Sequence, residues 1–346
     1  METAYSTYLL EQLKNLLAID STTGDYAPMQ RYLCDESARL GYAPRVLHKG
    51  GVQVDLGGAG DGLVIAAHAD DIGLMVRAIN PDGTLRVHKV GGLHPFQCDL
   101  ANVRVYTRAG RTYTGTMRRR VSSLHLMSEA DRTALPDYEK NLYLFLDEDV
   151  RTAADAAALG IGCGDFVAVD PGTVFTDSGY IKSRFLDDKA SVAAILALMK
   201  WLKDTGTAPR RHLTALFTLY EEVGHGGSVG LPEDTKDFIA VDIGCCAPGY
   251  ASDERKVTIG VMDAYAPYHR GLIDELVAAA EGAGVAYALD MPVPSYGSDA
   301  DAALRAGWDV RHGLIGPGVL GTHGYERTHV KALEATFELM RAYVIA

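Results

Sequence analysis

The side chains in this sequence best suited to hold a cation are His68, Asp70, the pairs Asp187-Asp188 and Glu221-Glu222, Asp242 and a late His323. The first two interrupt AAHADDIGLMV (66–76), whose other residues suit a buried strand. A buried ionisable group costs several kcal/mol unless something pairs with it, so partners are required. Carboxylates and imidazoles without thiolates suit zinc, cobalt or manganese. Two histidines with three or four carboxylates exceed the roughly three protein ligands of one catalytic zinc. The surplus points to two ions about 3.5–4 Å apart, sharing a carboxylate.

Each residue also has a plainer reading. His68 could be a hydrogen-bonded core histidine, Asp187-Asp188 the cap of the following helix, Glu221-Glu222 a strand end entering solvent, and Asp242 one buried carboxylate satisfied by backbone donors. What favours a metal site is their common placement, because an open α/β sheet presents the carboxyl ends of its strands to one ligand-binding crevice. GLVIAAH, LTALFTLYEEVG and FIAVDIG read as buried strands ending at His68, Glu221-Glu222 and Asp242. Asp187-Asp188 opens the helix LDDKASVAAILALMKWLKDTG, which Gly206 closes, and His323 lies in the glycine-rich GTHGYERTH loop. Two adjacent glutamates in extended strand would face opposite ways. A turn must therefore follow the strand if both are to reach one site.

Leu9, Leu10, Leu13, Leu16 and Leu17 recur at helical spacing, and a second helix is expected around 27–41. From 79 to 171 the texture changes to short Thr/Val/Tyr-rich alternating segments, such as TLRVHKV, NVRVYTRAG and NLYLFLD, which predict an antiparallel sheet or small barrel. The expected fold is α/β, a three-layer mostly parallel sheet with helices on both faces, carrying a β-rich insertion. Residues 1–78 and 172–346 would form the α/β domain and 79–171 the insertion.

The 346 residues carry 33 basic and 45 acidic groups, a formal charge of −12, which argues against nucleic acid or an anionic membrane surface as partner. No apolar run is long enough to span a bilayer, and the N-terminal METAYSTYLLEQLKNLL has no basic leader. A cytoplasmic protein is expected. Five scattered cysteines without C-x-x-C fit reduced, mostly buried thiols better than a disulfide framework.

H-x-D before D-I-G-L-M-V, then L-D-D-K-A, E-E-V-G-H-G-G, V-D-I-G and a late T-H, in that order along nearly the whole chain, resemble the glutamyl aminopeptidase-like two-metal metallopeptidases, which include the tetrahedral aminopeptidases. The resemblance implies a metal-dependent exopeptidase-like fold, short peptides as substrates and two divalent ions, zinc foremost and cobalt or manganese as alternatives. It implies that His68 and Asp242 hold one ion and Glu222 and His323 the other, that Asp187 bridges, that Glu221 is the general base, and that Asp70 orients His68. It further implies that Ser298 and Asp299 contact substrate, that the β-rich insertion makes oligomer contacts, and that the assembly runs from dimers to dodecamers. Lys189 stands where relatives commonly carry Arg, Asp71 where they carry Glu, and GYERTH replaces a Ser-Pro-containing segment. The alternative activities are a metal-dependent deacylase of small amides and, with less support, an endoglucanase-like glycoside hydrolase. Against a purely structural metal module stands the intact Glu221.

Overall fold

Strand β2 must be covered on both faces. Following β1 (Val52–Gly57) in the sequence, β2 (Gly62–His68) is buried at every position, and side chains alternate between faces along a strand. The computed structural model describes residues 1–292 and 295–346. It divides into two compact units, one of Met1–Ser21, Tyr26–Asp71 and Gly172–Ala346, the other of Thr22–Asp25 and Ile72–Pro171.

In the larger unit the strands that position the candidate residues are β2, β3 (His212–Thr218), β4 (Thr235–Val241), β5 (Val257–Gly260), β6 (Arg311–Leu320) and β7 (Glu326–His329). The centre of a twelve-stranded sheet runs β1-β3-β2-β4-β6-β7. β3, β2, β4 and β6 are mutually parallel, whereas β1, β5 and β7 join antiparallel. The sheet is thus mixed, parallel in the buried middle and antiparallel where β1, β5 and β7 join it. Helices α1 (Thr3–Leu17), α3 (Leu186–Thr205), α4 (Arg270–Ala283) and α6 (Val330–Ile345) pack side by side, while α2 (Ala27–Arg39) touches β1 and α5 (Asp299–Arg305) touches β2, β4 and β6. Of the leucines expected to face the core from the first helix, Leu9, Leu13, Leu16 and Leu17 are buried and Leu10 is half-buried. Gly206 ends α3 in the left-handed region at φ 64°, where a side chain would be strained.

The smaller unit is a closed antiparallel barrel of six strands, Gly73–Ile79, Leu85–Val90, Leu142–Leu146, Thr112–Arg119, Asn102–Tyr106 and Phe166–Val169, in that order around it. Leu74, Val76, Val87, Val103, Val105, Leu144, Val167 and Val169 fill it. The barrel begins earlier than the expected boundary at 79, because Gly73–Ile79 pairs with Leu85–Val90 and Phe166–Val169. The five cysteines are free, but only Cys98 is buried and Cys163 is exposed, so the expectation of mostly buried thiols does not hold. Among the described residues no helix is long and apolar enough to cross a membrane.

Candidate metal centre

The parallel register brings the strand ends together. Thr218, the last residue of β3, lies opposite His68, the last of β2, and β4 on the other side of β2 runs directly into Asp242. After β3 the chain turns through a short 3₁₀ helix, Glu221–Val223, framed by Tyr220 at φ 69° and Gly224 at φ 86°. This is the turn that two adjacent glutamates require to reach one site. Tyr220, a non-glycine residue in the left-handed region, is packed between Tyr26 and the ring of His225.

Asp187 and Asp188 sit at the head of α3 but have non-helical backbone angles, so the regular helix starts after them. Their carboxylates are therefore not spent as an ordinary helix cap. Asp188 accepts from the main-chain N–H of His68 at 3.3 Å. Asp187 points one oxygen each way: Oδ1 lies 3.1 Å from His68 Nε2, and Oδ2 lies 3.7 Å from His323 Nε2 and accepts from the Thr322 hydroxyl at 2.5 Å. His323 Nε2 is also 3.3 Å from Glu222 Oε2.

Two donor groups result, His68/Asp187/Asp242 and Asp187/Glu222/His323, each with its ligand atoms within 4.8 Å of one another. Asp187 belongs to both. Glu221 belongs to neither, yet its Oε2 stands 3.6 Å from His68 Nε2. His68 Nδ1 lies 3.0 Å from the main-chain oxygen of Asp70, which suits a tautomer protonated at Nδ1 and leaves the Nε2 lone pair facing the group. The Asp70 carboxylate expected in that role is 3.8 Å from Nδ1, and it accepts instead from the Glu221 N–H at 3.2 Å. Asp70 thus orients His68 through its backbone and the glutamate turn through its side chain.

Electrostatics fit a cation. Burial, with neighbouring carboxylates, pushes Glu221, Glu222 and Asp188 well above the usual carboxylate range, and Asp242 up to about 7. Burial disfavours charge on Asp187 too, but His68, His323 and Thr322 outweigh it and hold it near 2. For His68 burial is likewise outweighed, by Glu221, Asp187 and Asp188, and its imidazole is held well above its ordinary value. So many acids in one buried place stay ionised only opposite concentrated positive charge, and an oxygen and nitrogen donor set without thiolates fits divalent ions.

The site opens into a cavity of about 650 Å³ lined by Val223, Tyr250, Tyr265, Tyr296, Ser298 and Arg305 beside the candidate ligands. Of the two expected substrate contacts, Ser298 reaches this cavity while its hydroxyl also caps α5, accepting from Ala300 N–H. Asp299 does not line it. Its carboxylate accepts from the Thr218 hydroxyl and from Gly227 N–H, anchoring the loop after Glu222. Any side chain at Gly226 would collide with that carboxylate, which makes glycine necessary there. Lys49 binds the same loop from the other side, donating to the carbonyls of His225 and Gly226 and to the Ser228 hydroxyl. The sequence reading assigned no role to Glu326 in the GYERTH segment: buried on β7, it accepts from the N–H groups of Asp187 and His323. The antiparallel pairing that sets it there has no mark in GYERTH.

A family model described as M42 glutamyl aminopeptidase matches residues 50–339. YhfE of Bacillus subtilis (strain 168) is 38% identical over 339 residues, covering 97% of this chain and 96% of that one. The glutamyl aminopeptidase of Lactococcus lactis subsp. cremoris (strain MG1363) is 30% identical over 254 residues, covering 71% and 68% respectively. Among solved structures, that of the Pyrococcus horikoshii TET1 peptidase has the same fold, with a TM-score of 0.86 at 24% identity over 97% of this chain and 99% of that one. With the family match spanning most of its length, the chain belongs to the M42 glutamyl aminopeptidase family and is an aminopeptidase, a hydrolase acting on peptide bonds.

Proposed function

We propose that this aminopeptidase releases N-terminal residues from short peptides at a dinuclear metal site, with Glu221 as its general base. The observation that carries the reading is the shared carboxylate: Asp187 gives one oxygen to the side of His68 and the other to the side of His323. His68 and Asp242 would hold one ion, Glu222 and His323 the second, and Asp187 both. Zinc is the first choice, with cobalt or manganese acceptable to the same donors. When bound, such ions make water more acidic and polarise the scissile carbonyl.

The remaining steps belong to the chain. Glu221, turned toward the donor groups but outside both, takes the proton of the attacking water and returns it to the departing amine. In the metal-free site burial, with the neighbouring carboxylates, raises its proton affinity above the usual carboxylate range. Asp70 holds the backbone from which Glu221 projects. The cavity beside them receives the first side chain of the substrate, and the acidic wall favours a free ammonium over a blocked terminus.

The same reading includes a homo-oligomer of short-peptide-degrading subunits, since the TET1 structure is described as assembling into a tetrahedron or a large octahedral shell. The barrel unit exposes Val121, Leu124, Leu126 and Leu135, apolar side chains that contact with another subunit would cover. Residues 79–171 would supply those contacts. The chain's location would be the cytoplasm.

The test is to strip the protein of metal, reload it with zinc, cobalt or manganese, and assay aminoacyl anilides beside N-terminally blocked peptides. We expect turnover of free N-termini only, lost on chelation and restored by metal, from a particle of multiple subunits by light scattering. Equal cleavage of blocked peptides, or activity indifferent to chelator, would overturn the reading.

A further inference from the structure

Glu326 sits where the two halves of the second donor group meet. β7 pairs antiparallel with the strand Tyr180–Ser183, in a register that sets Glu326 opposite Ser183. The chain leaving Ser183 turns into α3 and delivers Asp187. The loop entering β7 carries Thr322 and His323. The Glu326 carboxylate, only 2% exposed, accepts from Asp187 N–H through Oε2 and from His323 N–H through Oε1, each at 3.1 Å. His323 itself has φ 59°, the left-handed region that a side chain adopts only when its surroundings hold it there.

We propose that Glu326 is a positioning residue for the second ion, a buried carboxylate that ties the main chain of Asp187 to that of His323. The inference rests on the dinuclear reading above. With both oxygens given to backbone N–H donors, Glu326 acts through the two ligands, and among the described residues neither donor group includes it. Losing such a support beneath a ligand lowers metal affinity by roughly ten- to a hundredfold. Asp187 serves both ions, but His323 serves only the second. The second ion should therefore suffer more.

The experiment is a cobalt titration of metal-free wild type and Glu326→Gln, read by visible absorption and by metal analysis after dialysis. Glutamine keeps the size of the side chain but aims an NH₂ group at one of the two N–H donors. We expect wild type to take up two ions, and the variant to take up the first nearly as well and the second at least about tenfold more weakly. Excess metal should restore kcat with little change in KM, a rescue that a general packing defect would not show. If the glutamine variant aggregates, Glu326→Asp, which keeps the charge and shortens the reach, gives the same readout. Two ions bound with wild-type affinity by a folded variant would overturn the role of Glu326 alone. A wild-type chain that binds fewer than two ions would overturn the dinuclear reading and this inference with it.

Discussion

Asp187 and Glu221 stand close together and are expected to fail in different ways. Asp187 contributes an oxygen to each donor group, so Asp187→Ala should empty both; retention of two ions by metal analysis would remove it from the bridging role. Glu221 lies in neither group but against His68. Glu221→Gln should therefore keep its metal and lose about 10²–10⁴-fold in kcat, the usual worth of a positioned proton carrier. A loss below tenfold would assign the proton to another group. Of these residues, those at strand ends were legible in the sequence, because buried apolar runs such as GLVIAAH define where a strand stops. Asp299 and Glu326 were not. Their carboxylates bind main-chain N–H groups of distant segments, and such bonds depend on how the loops meet, which no local pattern records.

At the scale of elements, the site depends on α3 being pinned to the loop that follows β2. Lys189, 1% exposed near the head of α3, donates to Asp71 at 2.6 Å and to the Ile19 carbonyl at 2.8 Å, while Ser21 also donates to Asp71. Replacing one member of a buried pair leaves the other charge uncompensated, at a cost of about 3–5 kcal/mol. Lys189→Met should lose about that much in denaturant unfolding, and a loss under 1 kcal/mol would show the pair to be dispensable. Arginine, expected at this position from the family resemblance, keeps the charge and should cost far less. Helices and buried strands were legible from periodicity, as with α1 and β2. The mixed sheet was less so, because the short antiparallel strands at its sides, such as Glu326–His329, are too brief to show a period.

For the molecule as a whole, the acidic centre makes stability depend on pH and metal together. Asp242, Asp299 and Asp301 are raised to about 7, 6 and 8, each chiefly by burial. Acids raised on folding bind more protons folded than unfolded, so without metal their contribution diminishes as pH rises from about 4 toward 8. The raised imidazole of His68 acts in the same direction, whereas Asp187, lowered to about 2, contributes at every pH above the ordinary carboxylate range. The metal-free protein should melt at a lower temperature at about pH 8 than at about pH 5, and saturating divalent ion should reduce or reverse that slope. A metal-free melting temperature that rises over this interval would contradict it.

The order of strands also sets an order of events during synthesis. β2 has no hydrogen-bonded neighbour among the residues that directly follow it; its partners are His212–Thr218 and Thr235–Val241. The barrel strands between Gly73 and Val169 pair only with one another. On a ribosome the barrel can close while β2 is still waiting for strands that have yet to be translated, and contacts so distant in sequence form slowly. Until then the wholly apolar Leu63–Ala67 segment lacks the two strands that cover its edges, and transiently exposed apolar surface of this kind favours aggregation.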